Sequence, residues 1–284
     1  MNAKIVNVYN DRVLPDKGLK GGWGDCFHIT FCEKKVLFDA GYKGKILMNN
    51  IRALGISVDE VDKLVLSHGH RDHTGGLPGL LEARTVKTPL PVIAHPAVSE
   101  PKFVKIWLFY FRGELPRLPP KLAERMAFQP AREPTEVLPN LYTTGEIPIA
   151  ERPQKPGIAK NVFHQVNGRR EHDDVIDDLS LILQAKTGLV LITGCCHAGL
   201  LNTCAKATKL FGRKIEAIVG GTHMLEYSKE DVDHVADVLE KDYGTPTLYL
   251  NHCTGDDAIE QLRARFGPQV VHDCFVGSEL TFDV

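Results

Sequence analysis

The 284-residue chain has no long apolar run. No window approaches the about 18 continuous apolar residues of a membrane-spanning helix. Met1-Asn2-Ala3-Lys4-Ile5-Val6-Asn7-Val8 has no apolar core ending in a small-residue cleavage site. A cytoplasmic protein with no membrane association is expected. Charge of one sign is also missing, with 34 Lys and Arg against 36 Asp and Glu. No broad field therefore draws the chain to nucleic acid or anionic lipid, and an acidic ligand has to be held by local groups. A disulfide framework is excluded by the seven cysteines at positions 26, 32, 195, 196, 204, 253 and 274, which are odd in number and scattered. They read as reduced thiols, most of them small buried apolar residues. Repeats, low-complexity tracts, a basic track and a phosphate-binding glycine loop are absent.

What is present is a rhythm of short elements. Apolar runs of β type fall at residues 5–8, 26–31, 36–38, 61–66, 92–94, 179–183, 189–192, 217–219, 247–250 and 279–282. Helical spacing covers 45–54, 76–83, 200–210, 229–241 and 257–266, with Gly55, Gly212, Gly244 and Gly267 as stop signals. Strands that come in runs and then alternate with helices predict an α/β fold of packed sheets with helices outside, as a single domain over 1–284. Residues 96–139 break the rhythm, holding eight of the 17 prolines and the apolar run 103–111. They read as an insertion, with 103–111 a helix packed on the domain, and a lid or a homodimer contact as the alternatives.

The chemistry concentrates in Ser67-His68-Gly69-His70-Arg71-Asp72-His73, which follows the apolar Leu64-Val65-Leu66 and precedes Thr74-Gly75-Gly76. In extended backbone His68 and His70 project to one side, while Asp72 and His73 fall where the chain turns and can face a second point. One loop can thus serve two adjacent metal ions. Imidazole and carboxylate suit zinc, iron or manganese, and a catalytic ion with an open position brings bound water to a pKa of roughly 7. His197 and His252 each follow an apolar strand and precede a helix, the same kind of strand-to-helix mouth, and read as further ligands. His223, after 217–219 and Gly220-Gly221, is expected at the mouth too, to bind substrate or protonate a leaving group.

His68-x-His70-x-Asp72-His73 after a strand resembles the HxHxDH signature of the metallo-β-lactamase superfamily, and Phe38-Asp39-Ala40-Gly41 resembles its first motif. The chain is further similar to the 7,8-dihydropterin-6-methyl-4-(β-D-ribofuranosyl)-aminobenzene-5′-phosphate synthase-like branch. That likeness rests on Thr144-Gly145-Glu146-Ile147-Pro148, Asp177-Asp178-Leu179-Ser180-Leu181, Thr193-Gly194-Cys195-Cys196-His197-Ala198-Gly199, Gly220-Gly221-Thr222-His223-Met224 and His252-Cys253-Thr254-Gly255. The resemblance implies a four-layer αββα sandwich with the Pro-rich segment inserted, and a role for Asp39 in orienting the ligand loop from behind. It implies one ion on His68, His70 and His197 and another on Asp72, His73 and His252, zinc first, with hydroxide between them. Many members carry a bridging Asp after Thr-Gly, where this chain has Cys195. Three assignments stay open: Cys195 ligates, Cys195 packs, or Asp178 reaches the site.

The resulting expectation is a metal-dependent hydrolase in which hydroxide attacks a carbonyl or phosphoryl centre and Asp72 steers the proton. The branch resemblance implies a small phosphorylated or cyclic phosphodiester substrate, ahead of a lactone or thioester. A mononuclear iron oxidoreductase of the same fold and a non-catalytic metal-stabilised binding protein are the competing classes.

Overall fold

The computed structural model describes residues 1–15 and 18–284. Two seven-stranded sheets face each other. The first runs β18 (Glu279–Asp283), β1 (Asn2–Tyr9), β2 (Cys26–Phe31), β3 (Lys34–Phe38), β4 (Lys63–Val65), β5 (Leu90–Ala94), β8 (Met126–Pro130). The second runs β17 (Val271–Asp273), β16 (Thr247–Leu250), β15 (Ile215–Gly220), β14 (Leu189–Thr193), β13 (Leu181–Gln184), β10 (Leu141–Thr143), β9 (Glu136–Leu138). β3, β4, β5 and β8 are mutually parallel, as are β14 to β17. Parallel neighbours need crossovers, and helices supply most of them on the outer faces.

Side-chain alternation decides which layer each residue joins. On β14, Val190 and Ile192 enter the core between the sheets with Ile29, Phe38, Val65 and Leu181, whereas Leu189 and Leu191 face outward. There they meet α5 (Leu200–Phe211), α6 (Lys229–Tyr243) and α7 (Asp256–Phe266). The first sheet is covered in the same way. Leu37, Leu64 and Leu66 pack on Leu47 and Ile51 of α1 (Gly44–Ala53) and on Leu77 and Leu80 of α3 (Leu77–Ala83). A strand buried on both faces must be apolar at every position, which explains the unbroken Leu-Val-Leu-Ile of β14. The result is the four-layer αββα arrangement. Among the described residues no helix is long and apolar enough to cross a membrane.

The helix expected over 103–111 is a β-hairpin instead. β6 (Lys102–Ile106) and β7 (Phe109–Arg112) pair antiparallel and extend through β11 (Val162–Val166) to β12 (Arg169–His172) as a separate four-stranded sheet. The segment is rich in aromatic and β-branched residues, which favour strands, and its tip is left in solvent, Trp107 89% and Leu108 86% exposed. The rest of 96–139 is partly built into the sandwich. After α4 (Pro120–Ala123), β8 forms an edge of the first sheet and β9 an edge of the second.

Candidate metal centre

The candidate residues gather outside the carboxyl ends of parallel strands, where open α/β sheets place their ligand sites. β3 ends at Asp39, whose backbone takes φ 66° with its N–H on the Val65 carbonyl at 2.8 Å. Its carboxylate then reaches across to the next strand's loop. Asp39 Oδ1 accepts the Ser67 N–H at 2.7 Å, and Oδ2 accepts the Ser67 hydroxyl at 2.7 Å while facing His73 Nδ1 at 2.7 Å. Ser67 Oγ in turn stands 2.8 Å from His68 Nδ1. One buried carboxylate therefore orients two imidazoles and leaves both Nε2 atoms pointing into the site. His73 lies in α2 (Arg71–Thr74), the single helical turn that swings Asp72 and His73 away from His68 and His70.

The second sheet contributes from three strand ends. Cys195 and His197 follow β14, His223 follows β15, and His252 follows β16. His197 Nδ1 donates to the Gly157 carbonyl at 2.6 Å, and His252 Nδ1 faces the Asp11 carboxylate at 3.3 Å. The donor atoms of His68, Cys195 and His197 lie within 4.8 Å of one another, and so do those of Asp72, His73, Cys195 and His252. Cys195 is common to both groups, its Sγ 3.0 Å from His73 Nε2. Asp72 Oδ2 is 3.7 Å from His73 Nε2 and 3.5 Å from His252 Nε2. His70 stands at the rim, its ring 4.6 Å from that of His68 and 5.1 Å from that of His197, with its donors outside both groups. Asp178 is outside them as well. Its Oδ2 accepts the Ala198 N–H at 2.9 Å, bracing the loop behind His197, and burial pushes its pKa up to about 6. The His223 ring lies 4.4 Å from that of His197 on the wall of the same cleft.

Charge is distributed to keep most of the imidazoles neutral. Burial, reinforced by His73, His70 and His197, pushes His68 well down, and burial with Lys102 brings His70 to about 4. For His73 burial opposes charging, but the Asp39 and Asp72 carboxylates outweigh it and hold the metal-free ring at about 9. Asp72 stays far below the usual carboxylate range, since His73 and His252 overcome the effect of its burial.

Several residues take supporting roles that the sequence did not show. Asp177 Oδ2 accepts the Gly69 N–H at 2.7 Å, between the two loop histidines, and Lys102 Nζ lies 2.8 Å from both Asp177 and Asp173, all three buried. The hairpin is tied to the ligand loop a second time by Arg71 N–H on the Gly113 carbonyl at 2.7 Å. Above the donors opens a cleft of about 400 Å³ walled by Trp23, Tyr42, Ile106 and Phe111, with Arg71 and Arg112 also on its lining. His172, the last residue of β12, does not line it and pairs loosely with Asp174 at 3.7 Å.

Buried donors at the mouths of a four-layer αββα sandwich define a class. The chain belongs to the metallo-beta-lactamase superfamily, whose model matches residues 22–194. Within it the chain is similar to the 7,8-dihydropterin-6-methyl-4-(beta-D-ribofuranosyl)-aminobenzene-5'-phosphate synthase of Methanocaldococcus jannaschii, 29% identical over 240 residues, 82% of this chain and 80% of the relative. Among solved structures it resembles Tm1679, described as a metal-dependent hydrolase of the beta-lactamase superfamily. The TM-score is 0.80 at 26% identity over 98% of both chains. The metallo-beta-lactamase fold protein YhfI of Bacillus subtilis shares the fold at TM-score 0.58 and 12% identity, over 99% of this chain and 100% of that one.

Proposed function

We propose that the protein is a metal-dependent hydrolase of small phosphorylated or cyclic phosphodiester substrates. The observation that carries this reading is the pair of donor groups joined at Cys195, in which His68, His197 and His252 keep buried Nε2 atoms with no hydrogen-bond partner. Unpaired polar atoms are costly to bury, and a cation in each donor group would satisfy them. The donor set fits two divalent ions, zinc first and iron or manganese next. His68, His70 and His197 would hold one, Asp72, His73 and His252 the other, with Cys195 between them. When bound, such ions acidify water and polarise a phosphoryl oxygen.

The chain's own groups divide the remaining work. Asp72 orients the attacking water by accepting its hydrogen bond and steers its proton, and His223, beside His197 on the cleft wall, protonates the departing oxygen. Arg71 and Arg112 hold the substrate's anionic group, which a chain of nearly balanced charge has to bind locally. Trp23, Tyr42, Ile106 and Phe111 flank the rest of the substrate and exclude water. The phosphate in the name of the M. jannaschii relative's product supports the same substrate class. Seven unpaired thiols, all but Cys32 buried, support a reducing compartment, the cytoplasm.

Purified protein loaded with zinc or manganese, assayed on phosphodiester, phosphomonoester, lactone and thioester panels, tests this reading. Phosphoester turnover that Asp72→Ala removes is the expected result. Turnover of lactones alone would overturn the substrate class, and a metal-loaded Asp72→Ala protein with wild-type rate would overturn the role of Asp72.

A further inference from the structure

Beside the two donor groups lies a third. Cys195, His223 and Cys253 bring their donor atoms within 4.8 Å of one another, and no step above uses Cys253. Topology makes the meeting. β14, β15 and β16 are parallel neighbours in register, so the residues just past their carboxyl ends come to lie side by side.

The space between them is held open by glycines from two directions. A Cβ on Gly221 would sit 2.7 Å from Cys253 Sγ, and a Cβ on Gly157 would sit 2.7 Å from His223 Cβ. His223 itself adopts φ 45°, a conformation that needs local support. Both thiols are buried and neither is in a disulfide. The Cys253 thiol makes a long contact with the Cys195 carbonyl, 3.7 Å, beside the Cys195 and His223 side chains, and His223 Nδ1 is buried with no partner. Buried thiols by themselves are unremarkable fillers. An unsatisfied buried nitrogen on the imidazole that sits beside two of them is not, because its desolvation is left uncompensated.

We propose that Cys195, His223 and Cys253 form a distinct, thiolate-rich position for a soft metal ion, of the class of zinc, cadmium or copper(I), contiguous with the histidine centre through Cys195. Two sulfurs and one imidazole select such ions over magnesium, calcium or manganese. Three donors leave a coordination place open toward the cleft that Cys195, His223 and Cys253 all line. The inference rests on the metal-holding reading of the neighbouring histidines only in the sharing of Cys195. An ion at the thiolate position draws on Cys195, the one ligand the two histidine groups have in common, and ties up His223. Soft metal there therefore changes how the histidine centre is completed and removes the proton donor assigned to the departing oxygen.

Cadmium is the probe. Metal-free protein is titrated with it while ions per chain are counted by elemental analysis, the thiolate-to-cadmium absorption band is followed, and the cadmium edge is examined by X-ray absorption. The wild-type protein is expected to hold an ion with two sulfur neighbours. Cys253→Ser is expected to lower the band to about half, since one of two thiolates is lost, and to abolish the two-sulfur ion while cadmium on the histidines remains. A wild-type spectrum with no ion bound by more than one sulfur overturns the proposal without recourse to any variant. So does a Cys253→Ser protein that keeps the full band. Cadmium bound through nitrogen and oxygen alone would overturn the thiolate position and leave the histidine reading standing, whereas a chain that binds none would overturn both.

Discussion

The first sheet supplies its donors from one loop after β4, with Asp39 fixing both His68 and His73. The second supplies them from three separate strand ends, and its two candidate ligand histidines are backed by separate neighbours, Gly157 behind His197 and Asp11 behind His252. Concentration makes the first half dependent on very few supporting atoms. Dispersal makes the second half tolerant, since a lost support disturbs one donor. The difference predicts where damage spreads.

The largest effect is expected at Asp39. Losing one such supporting partner weakens metal binding by about 10–100-fold, and Asp39→Ala removes the support of two ligands, so zinc affinity should fall by up to about 10⁴-fold in chelator competition. Next comes Lys102→Met, which strands the buried carboxylates of Asp173 and Asp177 beneath the ligand loop. A loss of about 3–5 kcal/mol in urea unfolding is expected. An unchanged unfolding midpoint would show that the loop does not depend on that triad.

Acid should also strike the first sheet selectively. His28 of β2 is held at about 4 by burial, helped by Lys35 and Lys4. Its folded pKa lies below its unfolded one, so the unfolded chain takes up the proton first. Stability is complete above about pH 6.5 and falls as pH drops toward about 4, by about 3 kcal/mol. Comparing metal-free wild type with His28→Leu at both ends of that window measures it, and an equal acid loss in the two proteins would refute it. In the second half, Asp11→Ala should cost zinc affinity only about 10-fold, because His252 is the one candidate ligand it supports. A loss as large as that of Asp39→Ala would erase the distinction between the halves. Smallest of all, Phe111→Ser on the hairpin should raise KM about fivefold and leave bound metal unchanged.

The same contrast explains what could be read from the sequence. His68 to His73 are adjacent in the chain, so spacing alone exposed them, and His197 and His252 were legible because each follows an apolar strand. α5 and α6 announced themselves by period and by the left-handed glycines Gly212 and Gly244 at their ends. Asp11 and Lys102 were silent, since a lone charged residue carries no sign of a partner far along the chain, and Asp177 was visible only as part of a motif, without its role under Gly69. The hairpin was misread because its turn falls at Trp107, φ 57°, a residue type that gives no turn signal. Cys253 became meaningful only once three strand ends were known to be neighbours.

The first sheet is closed by the pairing of β1 with β18, and Val284 N–H donates to the Met1 carbonyl at 2.8 Å. During synthesis β1 can pair with β2 at once, but its other edge stays open until residues 279–283 appear. The loop closed by this contact is nearly the whole chain, so its entropic cost is met late and by contacts of high sequence separation. The donors from β4 exist early in synthesis, but those after β16 arrive close to the end, just before the strand that closes the sheet. A nascent chain thus presents an incomplete ligand set until the segment after β16, with His252 and Cys253, has emerged.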